Sequence, residues 1–244
     1  MIPYWMGRTQ MLLGETQLST LLQKNVLVVG LGGVGGICAE MIARTGIGKM
    51  TIVDADVVDL SNCNRQIPAL HSTAGKPKAK VMAERLLDIN PELKLTVLEE
   101  YLKDDRIDEV LDTEHFDYAV DCIDTLGPKT SFIKACVDRK IPIVSSFGAG
   151  GKMNPQMVEV TDISKTHTCR LAKYVRKRLH ESDIFEGVTV VFSPEIVDQS
   201  KVIVTEKAFP KKSLIGTISY MPAIFGCMAA SAVIRGLMEG NKSL

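Results

Sequence analysis

The side chains in this sequence best suited to chemistry are ones that handle phosphate. Gly30, Gly32 and Gly35 fit the spacing G-x-G-x-x-G directly after the apolar run Val26-Leu27-Val28-Val29. Glycine there lets the chain turn sharply and lets backbone N–H groups approach a phosphate, while the following helix turns its positive end to the anion. Nineteen residues past Gly35, the run Met50–Val53 ends in Asp54, where an acid can hold a ribose hydroxyl pair. The loop from Asp56 to Gln66 is rich in hydrogen-bonding groups and brings in one guanidinium, Arg65. Lys78 follows Pro77 at a predicted helix start, against the helix dipole, and a ligand would explain that conflict. Asp124, past another strand, is a carboxylate whose place beside phosphates makes sense mainly with Mg²⁺ between them. Ordinary readings stay open: Lys78 and Arg8 as solvated cations, Asp124 as a helix cap. The glycines alone are a weak signal; strand, glycine turn, helix, strand and acid together are a strong one for nucleotide binding.

The elements that must position these residues alternate. The pattern predicts helix 37–44, strand 50–53, helix 79–90, strand 94–98, helix 104–111, strand 118–121, helix 127–140 and strand 142–146. Such alternation calls for an α/β fold, a Rossmann-like doubly wound and mostly parallel sheet with right-handed crossovers. Ligands then lie beyond the carboxyl ends of the strands, where Gly30, Asp54 and Asp124 all fall. Past Gly148-Ala149-Gly150-Gly151 the strands 157–161, 188–192 and 201–205 have long connections, which predicts a mixed, partly antiparallel C-terminal continuation. Between them Leu171, Val175 and Leu179 mark an apolar helix face, with Arg170, Lys173, Arg176, Lys177 and Arg178 on the other sides. That charge run is either a solvated face or a patch for a polyanion. Residues 1–25 read as one amphipathic lead-in helix with Met11, Leu12, Leu18, Leu21 and Leu22 on its apolar side.

Length and composition bound the rest. The chain has 244 residues, a formal net charge of +0 and 45% hydrophobic residues, enough for one large domain with a sizeable core. No global basic field advertises nucleic acid, so such a partner must meet a local patch. The six cysteines include no C-x-x-C pair, which argues against zinc knuckles and a disulfide framework and fits a reducing cytoplasm. The N-terminus does not read as a signal peptide. The uncharged stretch 213–234 is long enough to span a bilayer, but Pro222, Gly216 and Gly226 interrupt it, so a buried strand and helix without membrane insertion are expected.

With Arg8, the glycine loop, Asp54, Asn62-Cys63-Asn64-Arg65-Gln66, Lys78 and Cys122-Ile123-Asp124 in hand, the chain resembles the ubiquitin-activating-enzyme-like superfamily over roughly residues 5–150. Within it the chain is most similar to the tRNA threonylcarbamoyladenosine dehydratases, on segments such as Ala43–Gly48, Val81–Arg85, Ile89–Pro91, Gly148–Gly151 and Val160–Thr166. It departs at His167-Thr168-Cys169-Arg170, where an Asp-Pro pair is expected, and around 183–188, which is shorter than usual.

The resemblance implies ATP held by Gly30, Gly32, Gly33, Gly35, Asp54, Asp56, Asn62, Arg65, Lys78, Cys122 and Ile123. It implies catalysis by Arg65, Lys78 and Asp124, with Arg8 reaching across a homodimer interface, Mg²⁺ on Asp124, and a monovalent cation as a further ion. The reaction implied is adenylation of the threonyl carboxylate of N6-threonylcarbamoyladenosine next to the tRNA anticodon, then ring closure with net loss of water. Arg170, Lys173, Arg176 and Lys177 would meet the tRNA. A single domain would fill 1–244, residues 1–150 forming the ATP half and 151–244 the acceptor and C-terminal helix half.

Rival readings share part of this pattern. A nicotinamide dehydrogenase would use the glycines and Asp54 but not Arg65, Lys78 and Asp124 together. An adenylyltransferase acting on the C-terminal carboxylate of a ubiquitin-like sulfur carrier would use the same ATP site, with Cys169 available to take over an acyl group. A non-catalytic relative would be expected to lose part of the ATP set.

Overall fold

The structure, a computed structural model, describes residues 2–198, 200, 202–204 and 213–239. Its elements in order are α1 (Gly7–Leu13), α2 (Glu15–Leu21), β1 (Asn25–Val29), α3 (Gly35–Arg44), β2 (Lys49–Val53), α4 (Lys78–Ile89), β3 (Lys94–Leu98), α5 (Asp105–Asp112) and β4 (Tyr118–Asp121). They continue with α6 (Leu126–Asp138), β5 (Ile143–Ser146), β6 (Glu159–Asp162), α7 (Arg170–His180), β7 (Thr189–Phe192), β8 (Val202–Val204), β9 (Ser213–Ile215) and α8 (Tyr220–Glu239).

Every residue of β1 is buried, which is why the strand reads as an unbroken apolar run: side chains alternate between two covered faces. Val26 and Val28 join a core with Cys38, Ile42, Met82, Phe225 and Val233 from α3, α4 and α8. Leu27 and Val29 join the opposite core, with Ile107, Phe132, Val175 and Leu179 from α5, α6 and α7. The sheet has seven strands in the order β3-β2-β1-β4-β5-β7-β6. Neighbours are parallel throughout except the antiparallel β6–β7 pair. Strand order reverses between β1 and β4, the switch point where such sheets bind ligands. The expected doubly wound sheet with an antiparallel C-terminal continuation is the fold observed.

Local expectations differ in three places. The lead-in is two short helices, broken where Gly14 adopts φ 79 and ψ 163; Leu18 and Leu21 are buried while Met11 and Leu12 stay exposed. Pro77 is the N-cap of α4, one position before the expected first turn, because the segment there bridges to Val57. The strand expected at 157–161 starts at Glu159, after a 3₁₀ turn at Pro155–Met157. The strand expected at 201–205 is β8, with Lys201 and Thr205 outside the described residues. As expected, 213–234 divides into strand and helix: α8 is long and apolar enough to cross a membrane, yet Met221, Phe225, Ala229, Ala232 and Val233 sit in the core.

Candidate nucleotide site at the carboxyl ends of β1, β2 and β4

Three adjacent strands end together. Gly30 N–H donates to the Val53 carbonyl at 2.8 Å and Cys122 N–H to the Val29 carbonyl at 2.9 Å, so the ladders of β1, β2 and β4 run into the loops that follow them. Gly30 takes φ 91, and a Cβ on it would lie 2.8 Å from the Cys122 carbonyl oxygen. A Cβ on Gly35 would lie 1.7 Å from the Gly30 carbonyl oxygen. The loop closes on itself so tightly that only glycine fits at both positions. Gly32 has more room, its nearest neighbour being the Gln66 amide at 3.7 Å from a built Cβ, whereas Gly33 abuts Pro222 of α8.

Asp54 is the latch of this loop. Its carboxylate accepts the Leu31 N–H at 2.6 Å and the Asp56 N–H at 2.8 Å. Burial pushes its carboxyl above the ordinary value, and the two N–H groups and the Lys78 charge pull against that rise. Each oxygen keeps a second lone pair for a ribose hydroxyl.

Lys78 is not the solvated lysine of the bland reading. Its side chain is 6% exposed and pairs with Asp56 at 2.8 Å, while its own N–H donates to the Asp56 carbonyl. An ammonium has three donors, so this pair leaves capacity for a phosphate. Arg65 is half-buried and folds back on its loop, donating to Asn64 Oδ1 at 2.8 Å and to the Ser61 carbonyl at 3.1 Å. Asn62 accepts the Asp59 N–H and shapes the 3₁₀ turn Leu60–Asn62. Asn64 ties this loop to the segment before α8 through the Thr217 carbonyl at 3.1 Å.

Asp124 is exposed on the turn between β4 and α6. The N-cap of α6 is Thr125, so Asp124 does not take the capping position that the alternative reading gave it. Cys122 packs its Cβ under Gly30 and Gly35. Burial and the neighbouring Asp121 push its thiol up to about 12, making it a packing residue rather than a nucleophile. Ile123 N–H donates to Asp121 Oδ1 at 3.0 Å, which holds the turn that carries Asp124.

Arg8 does not join this group. It lies on α1 beside Leu12, Leu13, Thr45 and Ile234, and Thr45 is the C-cap of α3. A ten-residue helix separates that end from the glycine loop by about 15 Å. The basic residues of α7 divide as well: Arg170, Lys173 and Lys177 are exposed, whereas Arg176 is half-buried and donates to Thr166.

Two features escaped the sequence. Beneath the Asp124 turn, Lys129 pairs with Asp121 at 2.6 Å, both side chains 0% exposed, and Ser145 donates to the same carboxylate at 2.6 Å. No spacing rule links residues on β4, β5 and α6, so only the topology could reveal it. Gln66 is buried with its amide nitrogen beside Gly32 and its Oε1 unpartnered. The glycine cradle, the Asp54 carboxylate and the buried Lys78 fit a nucleotide. Among the described residues no three His, Cys, Asp or Glu side chains converge on a metal. This donor set suits Mg²⁺ shared between one carboxylate and phosphate oxygens.

The chain matches the family model described as the ThiF family over residues 7–243. It is 38% identical to the tRNA threonylcarbamoyladenosine dehydratase of Bacillus subtilis (strain 168) over 240 residues, 96% of this chain and 94% of that one. The dehydratase of Escherichia coli (strain K12) is 38% identical over 95% of this chain and 92% of its own length. A crystal structure of E. coli tRNA N6-threonylcarbamoyladenosine dehydratase in complex with ATP superimposes with a TM-score of 0.86 at 37% identity, covering 96% of this chain and 93% of that one. The E. coli sulfur carrier protein ThiS adenylyltransferase is 33% identical over 54% of this chain and 53% of its own length. The chain therefore belongs to the ThiF family.

Proposed function

We propose that this chain is an ATP-dependent dehydratase of N6-threonylcarbamoyladenosine in tRNA, acting through adenylation of the threonyl carboxylate. One observation carries the proposal: the glycine loop, the Asp54 latch, buried Lys78 and the Asp124 turn meet at the switch point of a chain similar end to end to proteins with that name. Residues 1–150 would be the ATP half and 151–244 the acceptor half of one domain. Carrier-protein adenylyltransferases align over 54–65% of this chain against 95–96% for the two bacterial dehydratases, which supports tRNA over a carrier protein.

A carboxylate is a poor electrophile, and bringing it to a triphosphate sets anion against anion. Its oxygen attacks the α-phosphorus, the bond to pyrophosphate breaks, and an acyl-adenylate remains. Intramolecular attack on the activated carbonyl, with loss of a proton and departure of AMP, closes the ring. Such a closure already has a high effective molarity, so a relay through Cys169 would gain little. Lys78 and Arg65 would neutralise the developing charge, Gly30–Gly35 would hold phosphate by backbone N–H groups, and Asp54 would hold the ribose. Mg²⁺ on Asp124 would supply the remaining positive charge at the departing pyrophosphate, and a monovalent cation is a further candidate ion.

The exposed apolar side chains beside Arg8, Met11 and Leu12 at 88% and 83% exposure, support a homodimer in which the partner copy covers them and Arg8 serves the partner's site. The exposed cations of α7 support a tRNA surface. We infer a cytoplasmic location without membrane insertion. The test is pyrophosphate release with ATP and Mg²⁺. It should require tRNA bearing the modified base; release that depends instead on a ubiquitin-like carrier would favour the adenylyltransferase.

A further inference from the structure

α7 buries Ala172, Val175 and Leu179, and that packing forces the rest of its circumference outward. The helix carries Arg170, Lys173, Arg176, Lys177 and Arg178 and no acid between Arg170 and His180. Arg176 is spent on Thr166. Arg170, Lys173, Lys177 and Arg178 are exposed and make no hydrogen bond or ion pair among the described residues. Some cations elsewhere are matched, as Lys24 is by Asp117, Arg106 by Glu100 and Arg139 by Asp112, whereas on α7 these four unpaired ones share a single short helix. Four uncompensated like charges on one short helix repel one another, and a polyanion relieves that repulsion.

Amid them stands Tyr174, 48% exposed, its hydroxyl without a partner among the described residues. Arg170, Lys177 and Arg178 lie at i−4, i+3 and i+4 from it, so they flank the ring on one helix face. Glu181 caps the far end of that face. An aromatic ring bordered by cations is the arrangement that takes a nucleobase: the base stacks on the ring while its phosphates meet the charges.

We propose that Tyr174 is a stacking platform for an unpaired base of the RNA substrate; this rests on the tRNA reading of the α7 surface. A duplex offers phosphates to the lysines and arginines but keeps its bases stacked within itself. An anticodon loop offers both phosphates and splayed bases, so the ring distinguishes loop from stem.

The experiment is fluorescence anisotropy with two labelled RNAs, an anticodon stem-loop and a fully paired duplex, each across a salt series. Tyr174→Ala should weaken stem-loop binding by about 5- to 150-fold, leaving duplex binding and the salt slope unchanged. Tyr174→Phe, which keeps the ring, should stay within about twofold of the unsubstituted protein. Lys173→Glu with Lys177→Glu should weaken both RNAs and flatten the slope. Unchanged stem-loop binding by Tyr174→Ala, or equal losses on both RNAs, overturns the stacking proposal while leaving the tRNA reading intact. No salt-dependent binding of either RNA to the unsubstituted protein overturns both. Equal binding of poly-glutamate, indifferent to Tyr174, would mark an acidic protein surface instead and overturns the proposal too.

Discussion

Asp121 and Asp124 lie three residues apart and do different work. Asp121 is fully buried and answers Lys129; Asp124 is exposed where the turn leaves β4. If Asp124 carries the metal, Asp124→Ala should keep the fold by circular dichroism and lower turnover by about 100-fold or more, the scale of losing one electrostatic element in a transition state. Near-normal turnover at saturating Mg²⁺ would put the metal elsewhere. The glycine turn and the place of Asp54 at the end of β2 were legible in the sequence because both follow from spacing along one β-turn-α-β unit. The bond from Leu31 N–H to Asp54 could not be read, since it depends on how two strand ends meet. Arg176 was misplaced for a similar reason: periodicity puts it on a charged flank, while the neighbouring turn claims it for Thr166.

Among elements, two polar clamps hold helices to the sheet and to each other. Removing one member of the buried Lys129–Asp121 pair strands a charge inside the protein, so Lys129→Met should lower stability by ~3–5 kcal/mol in denaturant titration. Adding Asp121→Asn should recover much of that loss, because the neutral amide can still accept the Ile123 N–H. No recovery would mean that Lys129 acts through packing. The second clamp joins α3 to α4, with Glu40 bound to Arg85 at 2.6 Å and to Arg44 at 2.8 Å. Burial raises the Glu40 pKa, but the Arg85 and Arg44 hydrogen bonds and charges outweigh it, leaving the carboxyl below its ordinary value. A lowered folded pKa stabilises above the unfolded value and is lost as pH falls through the folded one. Glu40→Gln should therefore lower the melting midpoint at pH 7, with the gap closing as pH drops below the ordinary 4.5. A gap independent of pH would mean that shape, not charge, is what Glu40 contributes. The alternation of elements was legible in the first half because β1, β4 and β5 are buried throughout and read as largely apolar runs, while the edge strand β3 alternates exposed and half-buried residues. The lead-in was misread as one helix because amphipathic spacing continues across Gly14 while the backbone does not.

For the whole molecule, the position of Arg8 at the far end of α3 is the feature that a single copy leaves unexplained. If Arg8 serves a partner's site, Arg8→Ala and Lys78→Ala should each be nearly inactive alone. Their mixture after subunit exchange should regain part of the activity, since one site of the hybrid has both residues. No recovery in demonstrably mixed dimers would place Arg8 outside the chemistry. The central claim, ATP-driven dehydration of a modified base in tRNA, is tested most directly by mass spectrometry of nucleosides. The tRNA carrying N6-threonylcarbamoyladenosine would be incubated with this protein, ATP and Mg²⁺. The expected result is a product lighter by one water, formed only with ATP and with AMP and pyrophosphate released alongside. An unchanged nucleoside, under conditions where the protein binds both ATP and the tRNA, would contradict it.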